Sequence, residues 1–376
     1  MALTAKANEM RSNGEDIIVL TVGEPDFDTP EYIKKAASLA LESGQTKYTS
    51  VDGTPEIKKA IQYKFKHDNN LDYEIDEIIV SNGCKQSIFN FLQVFIDNGD
   101  EVILPTPYWV SYIDMIKYAG GKPVFLETSY DNNLNIINKD LEKIITNKTK
   151  LILLNSPNNP SGKCYSAESL KDIANLIQQK ENIYFASDDI YEHIRWNKNP
   201  FKNILNVCPQ LQNRTVIFNG VSKAFSMTGW RIGYAAGPKE IIKEMKKLQS
   251  QSTSCPSAIS QAAAAIALTK KSNDITLMTK EYKKRHDYVV SELNKIDGVE
   301  CKDTDGTFYI FPSFKKLIQN NDNFANDKDL ALFLLEKAKV AVVPGSAFGF
   351  EGHLRISIAV DMHSLKKAMN RISKFL

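Results

Sequence analysis

An α/β fold, with a large domain on a mostly parallel seven-stranded sheet flanked by helices and a smaller α/β domain beside it, is predicted by three features of the sequence. Seven short β-rich runs succeed one another between residues 77 and 236, stretches of helical period separate several of them, and after about residue 265 the pattern changes to longer helices around short strands. The runs are Glu77–Ser81, Glu101–Leu104, Pro123–Glu127, Lys150–Asn155, Ile183–Asp188, Thr215–Asn219 and Ile232–Ala236. Most are strand-length and apolar, as strands covered on both faces are. Ser87–Phe95 has helical period, and Ser166–Gln179 sets Leu170, Ile173, Ala174 and Ile177 on one helical stripe. Such alternation builds parallel crossovers. Beyond residue 265, helices over Ile275–Ile296 and Asp327–Ala338 surround short strands near Phe308–Pro312 and Leu354–Ile358. The Asn- and Asp-rich stretch Gln319–Asp329 reads as a surface loop.

Composition narrows the function classes. The chain is 43% apolar and 24% charged, and 47 Lys plus Arg against 45 Asp plus Glu leave a net charge of +2. That balance argues against nucleic acid or an anionic membrane as partner, so any basic site is local. The apolar runs fall far short of the roughly 20 residues that span a bilayer. Residues Met1–Glu15 carry Lys6, Glu9, Arg11 and Glu15 and no apolar signal-peptide core, which reads as a cytoplasmic chain. The five cysteines, Cys84, Cys164, Cys208, Cys255 and Cys301, contain no C-x-x-C pair, and the five histidines show no H-E-x-x-H spacing. No disulfide scaffold and no metal site are expected. Neither G-x-x-x-x-G-K-[ST] nor G-x-G-x-x-G occurs, which removes the phosphate-loop and dinucleotide-fold readings.

Ligands in open α/β sheets sit beyond the carboxyl ends of the strands, and the chemistry-bearing residues fall there. The segment Phe218-Asn-Gly-Val-Ser-Lys-Ala-Phe-Ser-Met-Thr-Gly-Trp-Arg-Ile-Gly-Tyr234 places Lys223 soon after a strand and eight residues before Arg231. A lysine in an apolar pocket near another cation has a lowered pKa and can form a Schiff base with an aldehyde; an exposed loop lysine is the plainer alternative. Asp188 ends an apolar run, where an ionised carboxylate needs a partner, or it caps a following helix. Asn82-Gly83-Cys84-Lys85 lies between a strand and a helical run, where an anion is favoured.

Ser222-Lys-Ala-Phe-Ser-Met-Thr-Gly-Trp-Arg231 resembles the cofactor-lysine motif of the fold-type-I aminotransferases, specifically the bacterial aspartate-aminotransferase subgroup. Gly23-Glu-Pro-Asp-Phe27, Lys47-Tyr48, Pro107-Tyr-Trp109, Asn155-Ser-Pro-Asn-Asn-Pro-Ser-Gly162, Ser187-Asp-Asp-Ile-Tyr191 and Arg355 occur in that family's order, so the likeness covers nearly the whole chain. It implies pyridoxal 5′-phosphate (PLP) as cofactor, with Lys223 carrying it as catalytic base. By the same resemblance Asp188 pairs with the pyridinium N–H, which keeps the ring an electron sink. Tyr191 and Asn159 bond the phenolic oxygen, and Trp109 stacks on the ring. Gly83, Cys84, Lys85 and Arg231 cradle the phosphate, and Tyr48 reaches the phosphate of a neighbouring subunit. Arg355 grips the substrate α-carboxylate, which Gly23 lets the backbone approach, and Lys85 reaches the distal carboxylate across a dimer interface. Taken singly, Asn159 has a turn explanation, Trp109 a core explanation, and Tyr48 that of a half-buried aromatic. The departures from the family pattern are Cys84 for Gly, Ser161 for Thr and Asp189 for Glu.

The resemblance also implies a homodimer with shared active sites, acting on small amino and keto acids. L-Aspartate plus 2-oxoglutarate going to oxaloacetate plus L-glutamate is the preferred reaction; prephenate, alanine or aromatic substrates, or PLP-dependent C–S β-elimination, are the alternatives. The large PLP-binding domain is expected over residues 31–265, and the small domain over residues 1–30 and 266–376.

Overall fold

The computed structural model describes residues 2–197 and 199–376. In chain order the strands are β1 (Ile18–Val19), β2 (Ile78–Ser81), β3 (Glu101–Pro105), β4 (Lys122–Leu126), β5 (Thr149–Asn155), β6 (Tyr184–Asp188), β7 (Thr215–Gly220), β8 (Gly233–Ala236), β9 (Tyr309–Ile310), β10 (Val340–Ala341), β11 (Val343–Pro344) and β12 (Leu354–Ser357). The seven predicted runs are β2 to β8, with ends moved by a residue or two, and they form one sheet in the order β2-β8-β7-β6-β5-β3-β4. The pairings among β7, β6, β5, β3 and β4 are parallel. Strand β8 runs antiparallel to both β7 and β2, because the chain doubles straight back after β7 instead of crossing over through a helix. Lys223 and Arg231 occupy that return.

Period-two alternation distributes each central strand between two cores. Ile79, Val102, Leu104, Leu151, Leu153, Val216, Phe218 and Ala235 face one core, and Ile78, Val80, Ile103, Ile152, Leu154, Ile217, Tyr234 and Ala236 face the other. Every residue of β2, β3, β7 and β8 is buried, whereas edge strand β4, which carries Pro123, is partly open. Helix Ala167–Gln178 starts where the Ser166 side chain accepts the Ser169 N–H, and it buries Leu170, Ile173, Ala174, Leu176 and Ile177.

Two smaller sheets lie outside this one: β1 pairs parallel with β10, and β12 stands between β11 and β9. Helix Asp274–Leu293 matches the long helix expected there. The expected helix Asp327–Ala338 instead divides into Asp327–Phe333 and a wider π-helical turn, Leu334–Ala338, closed by the N–H of left-handed Lys339 on Leu334 O. The stretch expected to be a loop, Gln319–Asp329, is trimmed at both ends. Helix Lys315–Gln319 covers its first residue, and the Asn326 side chain accepts from the N–H groups of Lys328 and Asp329 to start the next helix. Asn in a loop and Asn at a helix cap look alike in sequence, since both use the side chain as a local acceptor. Among the described residues, no helix is long and apolar enough to cross a membrane.

Candidate active site

Strand β2 delivers the chain through Asn82 and Gly83 into helix Cys84–Phe95, and the start of that helix packs on the beginning of β8. A Cβ on Gly233 would lie 2.0 Å from Cys84 N, and one on Gly83, at φ +93°, would lie 2.3 Å from Arg231 Nη2. Glycine at both places is what lets Arg231 and the helix start meet. Arg231 itself is left-handed, with Nη1 donating to Thr228 O at 2.9 Å and Nη2 to Asn82 O at 3.1 Å. First-turn N–H groups have no intrahelical acceptor, so the start of this helix, with the Arg231 guanidinium beside it, offers donors and positive charge that suit a phosphate.

Beside it, Asp188 closes β6 and is 5% exposed. Its Oδ2 accepts the Tyr112 hydroxyl at 2.6 Å and its Oδ1 accepts the Ile190 N–H at 3.3 Å, with Cys84 Sγ at 4.0 Å. Burial raises this carboxyl to about 6, although Tyr112, Ile190 N–H and Lys223 all oppose the rise. No helix starts directly after Asp188 to be capped by it. Asp189 points to the opposite face of the strand, where Ser187 Oγ and Asn203 Nδ2 hold it at 2.6 and 3.0 Å; burial, reinforced by Glu192, lifts it to about 7.

Lys223 is half-buried in the β7–β8 return, with Nζ donating to Gly23 O at 2.5 Å. Burial brings its ammonium down to about 8; Arg231 and Arg355 push the same way and Glu24 resists. Both causes expected from the sequence, an apolar pocket and a neighbouring cation, are present, and desolvation is the larger. Tyr191 is buried, and its hydroxyl lies 3.2 Å from that of Tyr309.

Arg355, on β12, reaches across to the large sheet. Nη1 donates to Asn159 Oδ1 at 3.1 Å and Nη2 to Thr21 O at 2.7 Å, while the guanidinium carbon stands 4.4 Å from the centre of the Tyr309 ring. Its Nε is buried with no hydrogen-bond partner. Asn159 serves both readings of its turn: its N–H is tied to Asn155 Oδ1 at 2.7 Å and its side chain faces Arg355. Gly23 abuts the Tyr309 hydroxyl, 3.0 Å from where a Cβ would be. Trp109 is half-buried edge-on to Tyr112, and the ammonium of solvent-exposed Lys85 stands 4.7 Å from its ring centre. Tyr48 stands apart on the surface, 92% exposed.

Tyr112, Tyr309 and Thr21 carry no signal that singles them out in the sequence by the patterns used above, although Tyr112 lies one helical turn after Trp109 and could have been found from it. Tyr309 could not, since an aromatic in a short apolar strand looks like core. Among the described residues, ligand atoms of Asp68, Glu192 and His193 come within 4.8 Å of one another, and the Lys64 ammonium already pairs with the Glu192 carboxylate.

The family model for aminotransferases of class I and II matches residues 15–372. The chain belongs to that family. This class I and II aminotransferase is 47% identical to the aspartate/prephenate aminotransferase of Nitrosomonas europaea, over 100% of this chain and 96% of that one. It is 46% identical to an aspartate aminotransferase of Rhizobium meliloti, over 99% of this chain and 92% of the other. The crystal structure of the aspartate aminotransferase from Rhizobium meliloti superposes with a TM-score of 0.96, at 46% identity, covering 100% of this chain and 94% of that one. Family membership and the geometry agree on the fold, a mixed α/β architecture around the mostly parallel seven-stranded sheet.

Proposed function

We propose that this aminotransferase uses PLP to exchange an amino group between L-aspartate and 2-oxoglutarate. The observation that carries the reading is the joint placement of a desolvated Lys223 near 8, the cationic cradle at Gly83–Lys85 and Arg231, and a buried carboxylate at the end of β6.

The residues fit the cofactor. Arg231 and the first turn of helix Cys84–Phe95 would hold the phosphate, Asp188 the ring nitrogen, Tyr191 and Asn159 the phenolic oxygen, and Trp109 the ring face. An isolated buried carboxylate is costly, and a pyridinium N–H is a partner that removes the cost. When bound, PLP supplies an electron sink for the electrons released at the amino acid Cα. The chain's own groups do the rest. Arg355, with its Nε unpaired, would hold the α-carboxylate and so fix which Cα bond is presented. Lys223, neutral in a sizeable fraction near pH 8, would take the proton from Cα and return it as general acid to the carbon on the far side of the amino nitrogen. Asp188 keeps a proton on the ring nitrogen. Tyr191, buried and holding its own proton, donates to the phenolic oxygen.

A homodimer is part of the proposal. An almost fully exposed Tyr48 supports a role on a second copy, where it would complete the phosphate site, and Lys85 would reach the distal carboxylate of a substrate bound there. The β1–β10 pairing supports grouping residues 1–30 with 266–376 as a small domain against residues 31–265. The charge balance supports small-molecule partners over nucleic acid or an anionic membrane. Aspartate/prephenate naming among the relatives supports prephenate as a second acceptor.

The test is the visible absorbance of the PLP-loaded protein as L-aspartate and then 2-oxoglutarate are added, with oxaloacetate and glutamate assayed. Loss of the band on aspartate and its return on 2-oxoglutarate is the expected result, and Lys223→Ala abolishes both band and turnover. A band indifferent to aspartate overturns the substrate, and appreciable turnover by Lys223→Ala overturns the chemistry.

A further inference from the structure

Tyr309 sits between the two ends of the proposed site, and no step of the proposed reaction uses it. It lies on β9, beside β12, which carries Arg355, and is 1% exposed. Its hydroxyl is 3.2 Å from that of Tyr191, its ring centre is 4.4 Å from the Arg355 guanidinium carbon, and its oxygen abuts Gly23, whose carbonyl accepts from Lys223. One side chain thus touches three residues with separate proposed tasks. We propose that Tyr309 is a positioning residue with two separable parts: its hydroxyl aims the Tyr191 proton at the cofactor's phenolic oxygen, and its ring face sets the Arg355 guanidinium for the substrate carboxylate.

Two buried tyrosines share one O···O contact, so one proton lies in that contact and the other is free for a third acceptor. A phenolate oxygen is a stronger acceptor than a neutral hydroxyl. With PLP bound, the Tyr191 proton goes to the cofactor and the Tyr309 proton fills the contact, polarising Tyr191 and strengthening its donation. The ring acts on Arg355. The arms of that guanidinium are tied to Asn159 and Thr21, but both acceptors are neutral and neither fixes the tilt of the plane. Tyr309 on one contact and Phe348, 5.1 Å from the guanidinium carbon, on another supply aromatic surface that does. Gly23 belongs to the same device, because a Cβ there would come to 3.0 Å from the Tyr309 oxygen and press it aside by a few tenths of an ångström.

This inference rests on the PLP reading, and the experiment separates the two. Tyr309→Phe removes the hydroxyl and keeps the ring; Tyr309→Leu removes both, with Tyr309→Met as the fuller replacement if the leucine variant does not fold. The PLP-loaded proteins are titrated with pH by visible absorbance, and KM and kcat for L-aspartate are measured. Tyr309→Phe is expected to move the spectral midpoint upward by about half a unit to one unit, the loss of one neutral hydrogen bond, with KM within about twofold of the parent. The aliphatic variant is expected to show the same midpoint shift and, in addition, a KM raised about fivefold over Tyr309→Phe. An unchanged midpoint in Tyr309→Phe overturns the hydroxyl part, and equal KM in the phenylalanine and aliphatic variants overturns the ring part. A parent protein with no visible band removes the PLP reading itself, and both parts with it.

Discussion

Lys64 and Glu192 form an ion pair beneath the site with 2% of each side chain exposed, and replacing Lys64 with Met should destabilise the fold sharply. The Lys64 ammonium also donates to Asn69 Oδ1 at 2.7 Å, and the Glu192 carboxylate accepts from Asn69 Nδ2 and from Asn219 Nδ2, each at 2.8 Å. Burial alone would raise Glu192, yet Lys64, His193 and Asn69 hold it at about 2, against an ordinary 4.5. That depression corresponds to about 3 kcal/mol, which agrees with the roughly 3–5 kcal/mol lost when one partner of a buried pair is removed. A carboxylate depressed in the folded state contributes fully above about 4.5 and loses its contribution as pH falls toward 2. In Lys64→Met the buried Glu192 prefers its proton, so parent and variant should differ by about 3–5 kcal/mol at pH 8 and by less at pH 4. Urea unfolding followed by circular dichroism at both pH values measures this. Lys64→Met with Glu192→Gln removes the uncompensated charge and should recover most of the loss. A cost below about 1 kcal/mol at pH 8, or one that does not shrink on acidification, would refute the reasoning.

Further outcomes are expected of Tyr112 and Lys223 from the geometry and of Lys85 from the proposed function. Tyr112→Phe removes the hydroxyl that donates to Asp188 at 2.6 Å, so the carboxyl moves further up from about 6 and PLP affinity at pH 8 should fall about tenfold, measured by fluorescence titration. Capture of added PLP by the cofactor-free protein should rise with pH and level off above about 8, not near 10.5, because burial lowers Lys223; for the same reason that protein should gain stability as pH rises from about 8 toward 10.5, where the unfolded lysine still binds its proton. Lys85→Ala should raise KM for L-aspartate about tenfold and leave KM for L-alanine within about twofold, and equal effects on both would remove Lys85 as the distal-carboxylate contact.

Legibility differs by kind of interaction. Strands β2 to β8 are readable because most of them are covered on both faces and so read as continuous apolar runs, and Asp188 is readable as a carboxylate at the end of such a run. The antiparallel course of β8 is not, since it depends on the chain turning back at Lys223 through a return whose length and residues also suit a loop. Asn326 reads as loop and is a helix cap, because the local hydrogen bonds are the same in both. The Lys223 environment reads correctly in direction and in both causes, and only their ranking, desolvation ahead of the neighbouring cations, comes from the structure.

Local spacing and composition settle the alternation of strand and helix and the order of the motif residues. These are properties of neighbours along the chain, where spacing and propensity act directly. Only the tertiary structure decided that Arg355, Asn159 and Thr21 meet, that Tyr309 touches Tyr191 and Arg355 at once, and that Lys64, Asn69, Glu192 and Asn219 share one buried network. Most of those partners lie tens to hundreds of residues apart, and their proximity comes from how the sheets stack and where each strand ends, which no local pattern encodes.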